Sequence, residues 1–538
     1  MVPESVRRTA ASTGPGAALR VRTFRLLIAV QLVNAIAVWV HVVGVQWLLT
    51  ERGEAAVVVS LAPAAMSLPF IALALPVGVV VSHARRQRLI GGAVALSGIA
   101  SVAASLLVLS GADRAAPLLL TVLVIGGALV VVGVAWQSLL PEVVPRAAVP
   151  SAAMVDGAVF NIARAVGPLT AGILLGLSGP FVLFGSVTAL FAGAVLLLVL
   201  AGPGGDGHAP RTESIGAAVG GALRFVRHSP WTRGLLVRMV LFGLPASALW
   251  ALVSLAVHDL MGLGAAGFGI AMGLLGVGAV TAALALGRVR ARLPAHVFVA
   301  LLASAYAVNL LALGLVRELW LLAPFLVLAG VGWVAVQSTW MMLAHQALPD
   351  WVRPRVIALV LMLFQGAQAL GALLWGAVAD AVGVDLALGI AAILLLGYAG
   401  WLALGGLSSS AGIEPVLATP DAAIPALVER AEEGELLVRY EYLVPPGQEA
   451  AFGAAMADLR LSRLRLGARA WRLDPDPDAT GRQVESYRVR DRALLLEQET
   501  TRLTVPERRL RDAVRALSAQ AIGPLLTSTG PDRSGGDA

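Results

Sequence analysis

The chain contains no cysteine, so neither disulfides nor thiolate metal sites can operate in it. It contains no lysine either, and all 40 basic residues are arginine. That excludes the GxxxxGK[ST] phosphate loop, whose lysine reaches the nucleotide phosphates, and with it a Walker-type ATPase pump in this chain. Charged residues are only 14% of the 538, too few for a soluble protein of this length. What fills the sequence is apolar. Twelve stretches stand out: 26–49, 56–82, 89–110, 116–139, 158–177, 180–201, 235–257, 266–287, 295–316, 319–343, 356–379 and 386–407. Each holds the ~17–25 residues a helix needs to cross a bilayer core of ~30 Å. Lipid offers backbone N–H and C=O groups no partners, so such segments must be helices. Only Arg164 and Arg238 place a full charge inside a span, and no Asp or Glu does. The expected class is an all-α membrane protein with 12 transmembrane helices.

The remaining charge reads as topology. Up to residue 407 there are 23 Arg against 13 acidic residues, and after it 17 against 20, so the net +7 belongs to the membrane part and is no nucleic-acid footprint. With the N-terminus inside, 18 loop arginines, among them Arg85, Arg86, Arg88 and Arg353, are cytoplasmic; Arg52, Arg114 and Arg317 are outside. The positive-inside rule then places both termini in the cytoplasm. Residues 1–25 read as a disordered tail rather than a signal peptide, because the apolar run that follows is too long.

The sequence also repeats. A shift of 204 lays Arg86 on Arg290, Arg88 on Arg292, Trp136 on Trp340, Asn161 on Gln365, Arg164 on Gln368, Gly167 on Gly371 and Gly172 on Gly376. Seven matches on one register mark two homologous six-helix bundles, 26–201 and 233–407, joined by a cytoplasmic linker at 202–232.

Here a family resemblance becomes specific. The segments Pro141-Glu142-Val143-Val144-Pro145, Asn161-Ile162-Ala163-Arg164 and Gly167-Pro168-Leu169-Thr170-Ala171-Gly172 resemble the major facilitator superfamily, in its branch of secretion effectors and drug or siderophore exporters. Leu348-Pro349-Asp350-Trp351-Val352-Arg353 and Phe364-Gln365-Gly366 resemble the same branch. The resemblance implies a plasma-membrane exporter of small amphipathic molecules, working by alternating access on an ion gradient, with H+ as the expected coupling ion. One stretch departs from the family. In the loop after the second span, Gly78-Val79-Val80-Val81-Ser82-His83-Ala84-Arg85-Arg86-Gln87, Ser82 stands where the family has an acidic residue and His83 where it has the first Arg. Ser82 can make only neutral hydrogen bonds, so the cytoplasmic latch is weaker or carried elsewhere. The alternative is a non-transporting, membrane-anchored sensory or binding protein on a degenerate transporter fold.

Candidate site residues follow from polar groups inside apolar spans. Gly157, Asn161, Arg164 and Pro168 share one helical face, and with Gly167 they are the candidate hinge and gate lining. Arg164 would anchor a cytoplasmic network or an anionic substrate, or else snorkel to the interface. Gln31, Asn34 and His41 on the first span either line the cavity or form a polar seam, and His41 could carry a proton. Asp156 and Asp380, at span ends, are the nearest carboxylates. Trp250 and Trp333, with Gln337, Gln365 and Gln368, suit a promiscuous apolar pocket, whereas Trp47, Trp136, Trp320 and Trp401 read as interfacial belt.

After residue 407 the composition turns soluble: a linker at 408–434, an α+β domain at 435–522 and a disordered tail at 523–538. Alternation over Leu436–Val444, with Val438, Tyr440 and Tyr442 on one face, marks a strand, and Glu449–Leu466 an amphipathic helix. The pattern suggests a ferredoxin-like sandwich. It resembles small dimeric α+β barrel domains that include cofactor-free monooxygenases, with Trp471 as core aromatic or pocket residue. Without His, Cys or paired carboxylates the domain reads as a dimerisation or regulatory module, and no enzyme activity, cofactor or metal is expected. The expected partners are a small-molecule substrate, the lipid bilayer and a second copy of the chain.

Overall fold

Each apolar run becomes a helix in the computed structural model, which describes residues 16–83, 85–202, 215–290, 292–405, 415–419, 423–431 and 434–529. The first half holds α1 (Arg22–Glu51), α2 (Ala56–His83), α3 (Arg86–Leu109), α4 (Ala115–Val143) and α5 (Val149–Leu200). The second half holds α7 (Pro230–Leu255), α8 (Ala265–Arg290), α9 (Ala295–Leu315), α10 (Leu319–Ala347), α11 (Arg353–Val382) and α12 (Val384–Gly405). Among the described residues eleven helical segments are long and apolar enough to cross a membrane. The twelfth crossing is inside α5. Gly179 adopts φ 78°, a conformation open to glycine, and Pro180 follows without an N–H to donate. Two spans therefore meet end to end, where the sequence places its fifth and sixth. Within each half the helices pack pairwise: α1 along α5, α2 and α3 against α4, and α9 against α12.

One expected boundary shifts, and two expected linkers contain helices. The helix of α1 begins at Arg22, inside the expected tail, because a turn at Ala18–Arg20 pins the entry: the Ala18 amide donates to Ser151 Oγ at 3.3 Å. Residues 1–15 lie outside the described ones. The linker at 202–232 contains a helix, α6 (Ile215–Arg227), and the stretch at 408–434 contains α13 (Ala423–Arg430). Residues 203–214, 406–414, 420–422 and 432–433 of these linkers lie outside the described residues.

A second compact unit takes in the described residues of 213–237, 340–359 and 408–538. Its C-terminal part runs β1 (Glu435–Leu443), α14 (Glu449–Leu466), β2 (Arg469–Pro475), β3 (Arg482–Val489), α15 (Arg492–Glu497), α16 (Val505–Ala516) and β4 (Gln520–Thr529). The sheet order is β2-β3-β1-β4 with every pairing antiparallel, the ferredoxin-like arrangement. Leu436, Val438, Tyr440 and Tyr442 alternate inward on β1 to meet Phe452, Met456 and Leu459 of α14. β4 corrects the expected disordered tail. It pairs with β1 from Leu443↔Gln520 to Glu435↔Thr529, but Gly523 and Pro524 mask it in the sequence, since both residues are depleted in strands and tolerated at an edge. Residues 530–538 lie outside the described ones.

This domain buries charge, and pairs it. Glu485, with no exposed surface, accepts from Arg463 Nε at 3.1 Å, Tyr442 OH at 3.1 Å and Trp471 Nε1 at 2.9 Å. Trp471 is therefore committed to the core network. Arg511 donates to both oxygens of Glu499 at 2.9 and 2.7 Å. Burial pushes the Glu499 carboxyl up, and the adjacent Arg511 more than offsets it, leaving the group below its ordinary value. Glu507 closes a capping box with Thr504 at the start of α16; burial raises its carboxyl despite Arg465 at 3.4 Å.

Candidate functional site: a cavity between the halves

A cavity of about 480 Å³ lies between the two helical halves. Eight crossings wall it, four from each half. From the first half come Gln31, Asn34, Trp39 and Gln46 of α1, Pro63 of α2, Trp136 and Gln137 of α4, and Asp156, Gly157, Asn161 and Arg164 of α5. The second half contributes Trp250 of α7, Met272 of α8, Trp333 and Gln337 of α10, and Gln365 and Gln368 of α11. Aromatic rings form much of the surface, with Trp250 and Trp333 edge to face at 5.4 Å and Trp39 against Trp250 at 5.9 Å. Amides supply most of the polar groups, a pattern suited to varied apolar ligands with a few hydrogen-bonding handles.

Among the described residues two charges face this space, Asp156 and Arg164. Asp156 accepts a hydrogen bond from the Trp136 indole at 2.7 Å. Arg164 lies with its guanidinium carbon 4.9 Å from the Phe160 ring and 5.8 Å from that of Trp39, and its Nε has no hydrogen-bond partner. No acidic side chain pairs with it among the described residues. The other intramembrane arginine, Arg238, is placed over the Trp401 ring at 5.4 Å, away from the cavity.

One end of the cavity is closed by contacts between equivalent parts of the two halves. Gln46 Nε2 donates to the Trp250 carbonyl at 2.8 Å, and one turn farther Thr50 Oγ1 donates to Ser254 Oγ at 2.9 Å. Both pairs are 204 residues apart, the repeat shift itself. A residue that touches its own repeat mate lies beside the pseudo-twofold axis, so α1 and α7 meet on that axis. The flanking contacts are repeat-related as well. A Cβ on Gly172 of α5 would fall 2.4 Å from Gly269 Cα of α8, and one on Gly376 of α11 would fall 2.7 Å from Val57 Cα of α2. Asp380 adds a charged clasp there, its carboxylate accepting from the Ala56 amide at 2.6 Å and the Val57 amide at 3.0 Å at the start of α2. At the opposite end Phe160 and Gln137 are exposed.

The cavity brings together Gln31, Asn34, Trp250, Trp333, Gln337, Gln365, Gln368, Gly157, Asn161 and Arg164. It does not include His41. That ring is fully buried inside the first half, its Nε2 2.9 Å from Thr121 Oγ1 and its edge against Phe184, because α4 and α5 cover this stretch of α1. Gly167 meets Trp39, whose Cβ would be 2.5 Å from a Cβ at 167, and Pro168 is buried. Gly78 and Arg85 are exposed near the end of α2, and Arg86 pairs with Glu142. The side chains of Ser82 and His83 lie outside the described residues. Two supposed belt residues are interior instead: Trp136 stacks on Phe24 and Trp47 on Phe268, each under 3% exposed. Trp39, Gln46, Phe160 and Gln137 carry no sequence signal of their own, although the 204-residue spacing of Gln46 and Trp250 points to the axis.

Comparison with known proteins agrees with this architecture. A profile of the transmembrane secretion effector family matches residues 13–528. The multidrug efflux pump Tap of Mycolicibacterium fortuitum is 25% identical over 386 residues, covering 66% of this chain and 90% of its own. Tap of Mycobacterium tuberculosis is 24% identical over 391 residues, covering 67% and 87%. Among solved structures, a bacterial homolog of the human lysosomal transporter Spinster, inward-facing and unoccupied, superposes with a TM-score of 0.58 at 15% identity over 71% of this chain and 96% of that one. The nucleoside transporter NupG gives 0.56 at 12% identity over 71% and 98%. Twelve crossings in two repeat-related halves, with this match along nearly the whole chain, make the protein a member of the transmembrane secretion effector family with the major facilitator fold.

Proposed function

We propose that the protein exports small amphipathic molecules across the plasma membrane by alternating access, with both termini cytoplasmic and protons as the coupling ion. The observation that carries this reading is the cavity of about 480 Å³ between the halves, shut at one end by the Thr50–Ser254 and glycine-mediated contacts. Contacts between two repeat-related bundles can be exchanged by rocking one half on the other. Arg85, Arg86 and Arg88 are at the opposite end, so the positive-inside rule makes the closed end the outer one and the state inward-facing. The naming of the Tap relatives as multidrug efflux pumps supports export. Asp156, the carboxylate facing the cavity, is the proposed proton carrier in place of His41. Arg86–Glu142 supplies an ion pair near the loop where Ser82 replaces the family's acid. The soluble domain is proposed to bring two copies together.

The test is accumulation of fluorescent amphipaths in inverted membrane vesicles energised by respiration. Export predicts uptake that collapses with a protonophore and falls in an Asp156→Asn variant. If a panel of anionic, neutral and cationic amphipaths shows no energy-dependent uptake, the sensory reading replaces this one.

A further inference from the structure

We infer that Arg164 makes the cavity selective for molecules that carry one negative charge beside a flat apolar body. This deepens the export reading and rests on it.

A guanidinium has five N–H donors and a charge that cannot be shed, and it is not left without partners in a membrane unless something else supplies them. Arg164 is poor in partners. The rings of Phe160 and Trp39 hold it from the side, but a π face attracts the charge without accepting every N–H. Asp156 is on the same helix, eight residues earlier, about 12 Å along the axis, and is engaged with the Trp136 indole. Among the described residues no other carboxylate lines the cavity. The arginine also borders a small recess formed by Trp250, Met272, Tyr306 and Trp333 of the second half. The cation thus stands where an aromatic wall from each half is within reach.

The repeat tells whether that charge serves the fold. The position equivalent to Arg164 is Gln368, which also faces the cavity and is 3.4 Å from Gln365, the equivalent of Asn161. The second half folds into the same helix with a neutral amide there. A charge present in only one of two matching helices is not a requirement of the helix, and its unmet donors then call for a ligand. A carboxylate or sulfonate fits: the planar fork of arginine binds such groups through two parallel hydrogen bonds. A fused ring system beside the anion would lie between Trp39, Trp250 and Trp333, while the surrounding amides accept varied further substituents.

The test uses three probes with one aromatic body: 1-pyrenebutyrate, 1-pyrenebutanol and a pyrenebutyl trimethylammonium. Binding to the full-length protein in lipid nanodiscs is read by energy transfer from tryptophan to pyrene, with empty nanodiscs as blank. The wild type should bind the anion about tenfold more tightly than the alcohol, the yield of one charge-assisted hydrogen bond. Arg164→Gln, which copies the residue of the other half, should bring that ratio close to one. Arg164→Lys, which keeps the charge without the fork, should keep part of it, and Arg164→Glu should favour the ammonium probe. Binding of the neutral alcohol reports that each variant's cavity is intact. Equal binding of all three probes by the wild type, or an anion preference that survives Arg164→Gln, overturns the inference and leaves the export reading standing. Failure of the wild type to bind any probe overturns both.

Discussion

At the scale of single residues, what decides this protein is where polar side chains are allowed to be buried. In the soluble domain the answer is pairing: Arg463 and Glu485, 3% and 0% exposed, satisfy each other with help from Tyr442 and Trp471. Replacing Glu485 by Ala leaves a buried, uncompensated guanidinium, so the domain should lose about 3–5 kcal/mol. Hydrogen exchange over α14 and β3 in the full-length protein would detect the loss; unchanged protection would contradict it. Glu499, held below its ordinary value by Arg511, gives a pH dependence of known sign. Its contribution is complete above the unfolded value of about 4.3 and disappears as pH falls through the lower folded value. Glu499→Gln should therefore flatten the acid loss of protection in α16. In the membrane the polar residues were legible because they interrupt apolar runs, and Gln31, Asn34, Arg164 and Gln365 all face the cavity. Tryptophans were not separable in the same way. Trp136 near a span end has the composition of an interfacial residue, and only its packing on Phe24 and bond to Asp156 place it inside.

At the scale of elements, small residues set how closely helices approach. Gly172 and Gly376 occupy matching positions on the fifth and eleventh crossings and touch α8 and α2 at the closed end. A side chain at either should force these helices apart. Gly172→Val and Gly376→Val are expected to weaken that closure and to raise solvent access to a cysteine introduced at Ser254, read as faster maleimide labelling in a chain that has no other cysteine. Asp380→Asn removes the charge that caps α2 across the halves and should act in the same direction with a smaller effect, since a neutral amide still accepts a hydrogen bond. Labelling rates equal to those of the parent would refute both. The break inside α5 falls between the fifth and sixth spans that the sequence separates, 158–177 and 180–201, and the structure puts it at Gly179, before Pro180. β4 was hidden because Gly523 and Pro524 look like the end of a domain, and because an edge strand needs no inward alternation strong enough to reveal it.

At the scale of the whole molecule, the repeat is the feature that joins sequence to mechanism. The shift of 204 residues, first seen in scattered matches, reappears as physical contact where Gln46 meets Trp250 and Thr50 meets Ser254. The proposed alternating access requires a second state, in which the matching contacts at the other end close and these open. The absence of native cysteine makes the most direct test available. Spin labels at Glu54 and Met261 report the closed end, and labels at Arg88 and Arg292 the other. Pulsed electron–electron distance measurements in nanodiscs, with and without a transported amphipath and across a pH step, should show the first distance lengthening as the second shortens. Two distances that stay fixed under every condition, or that change in the same direction, would contradict alternating access in this protein.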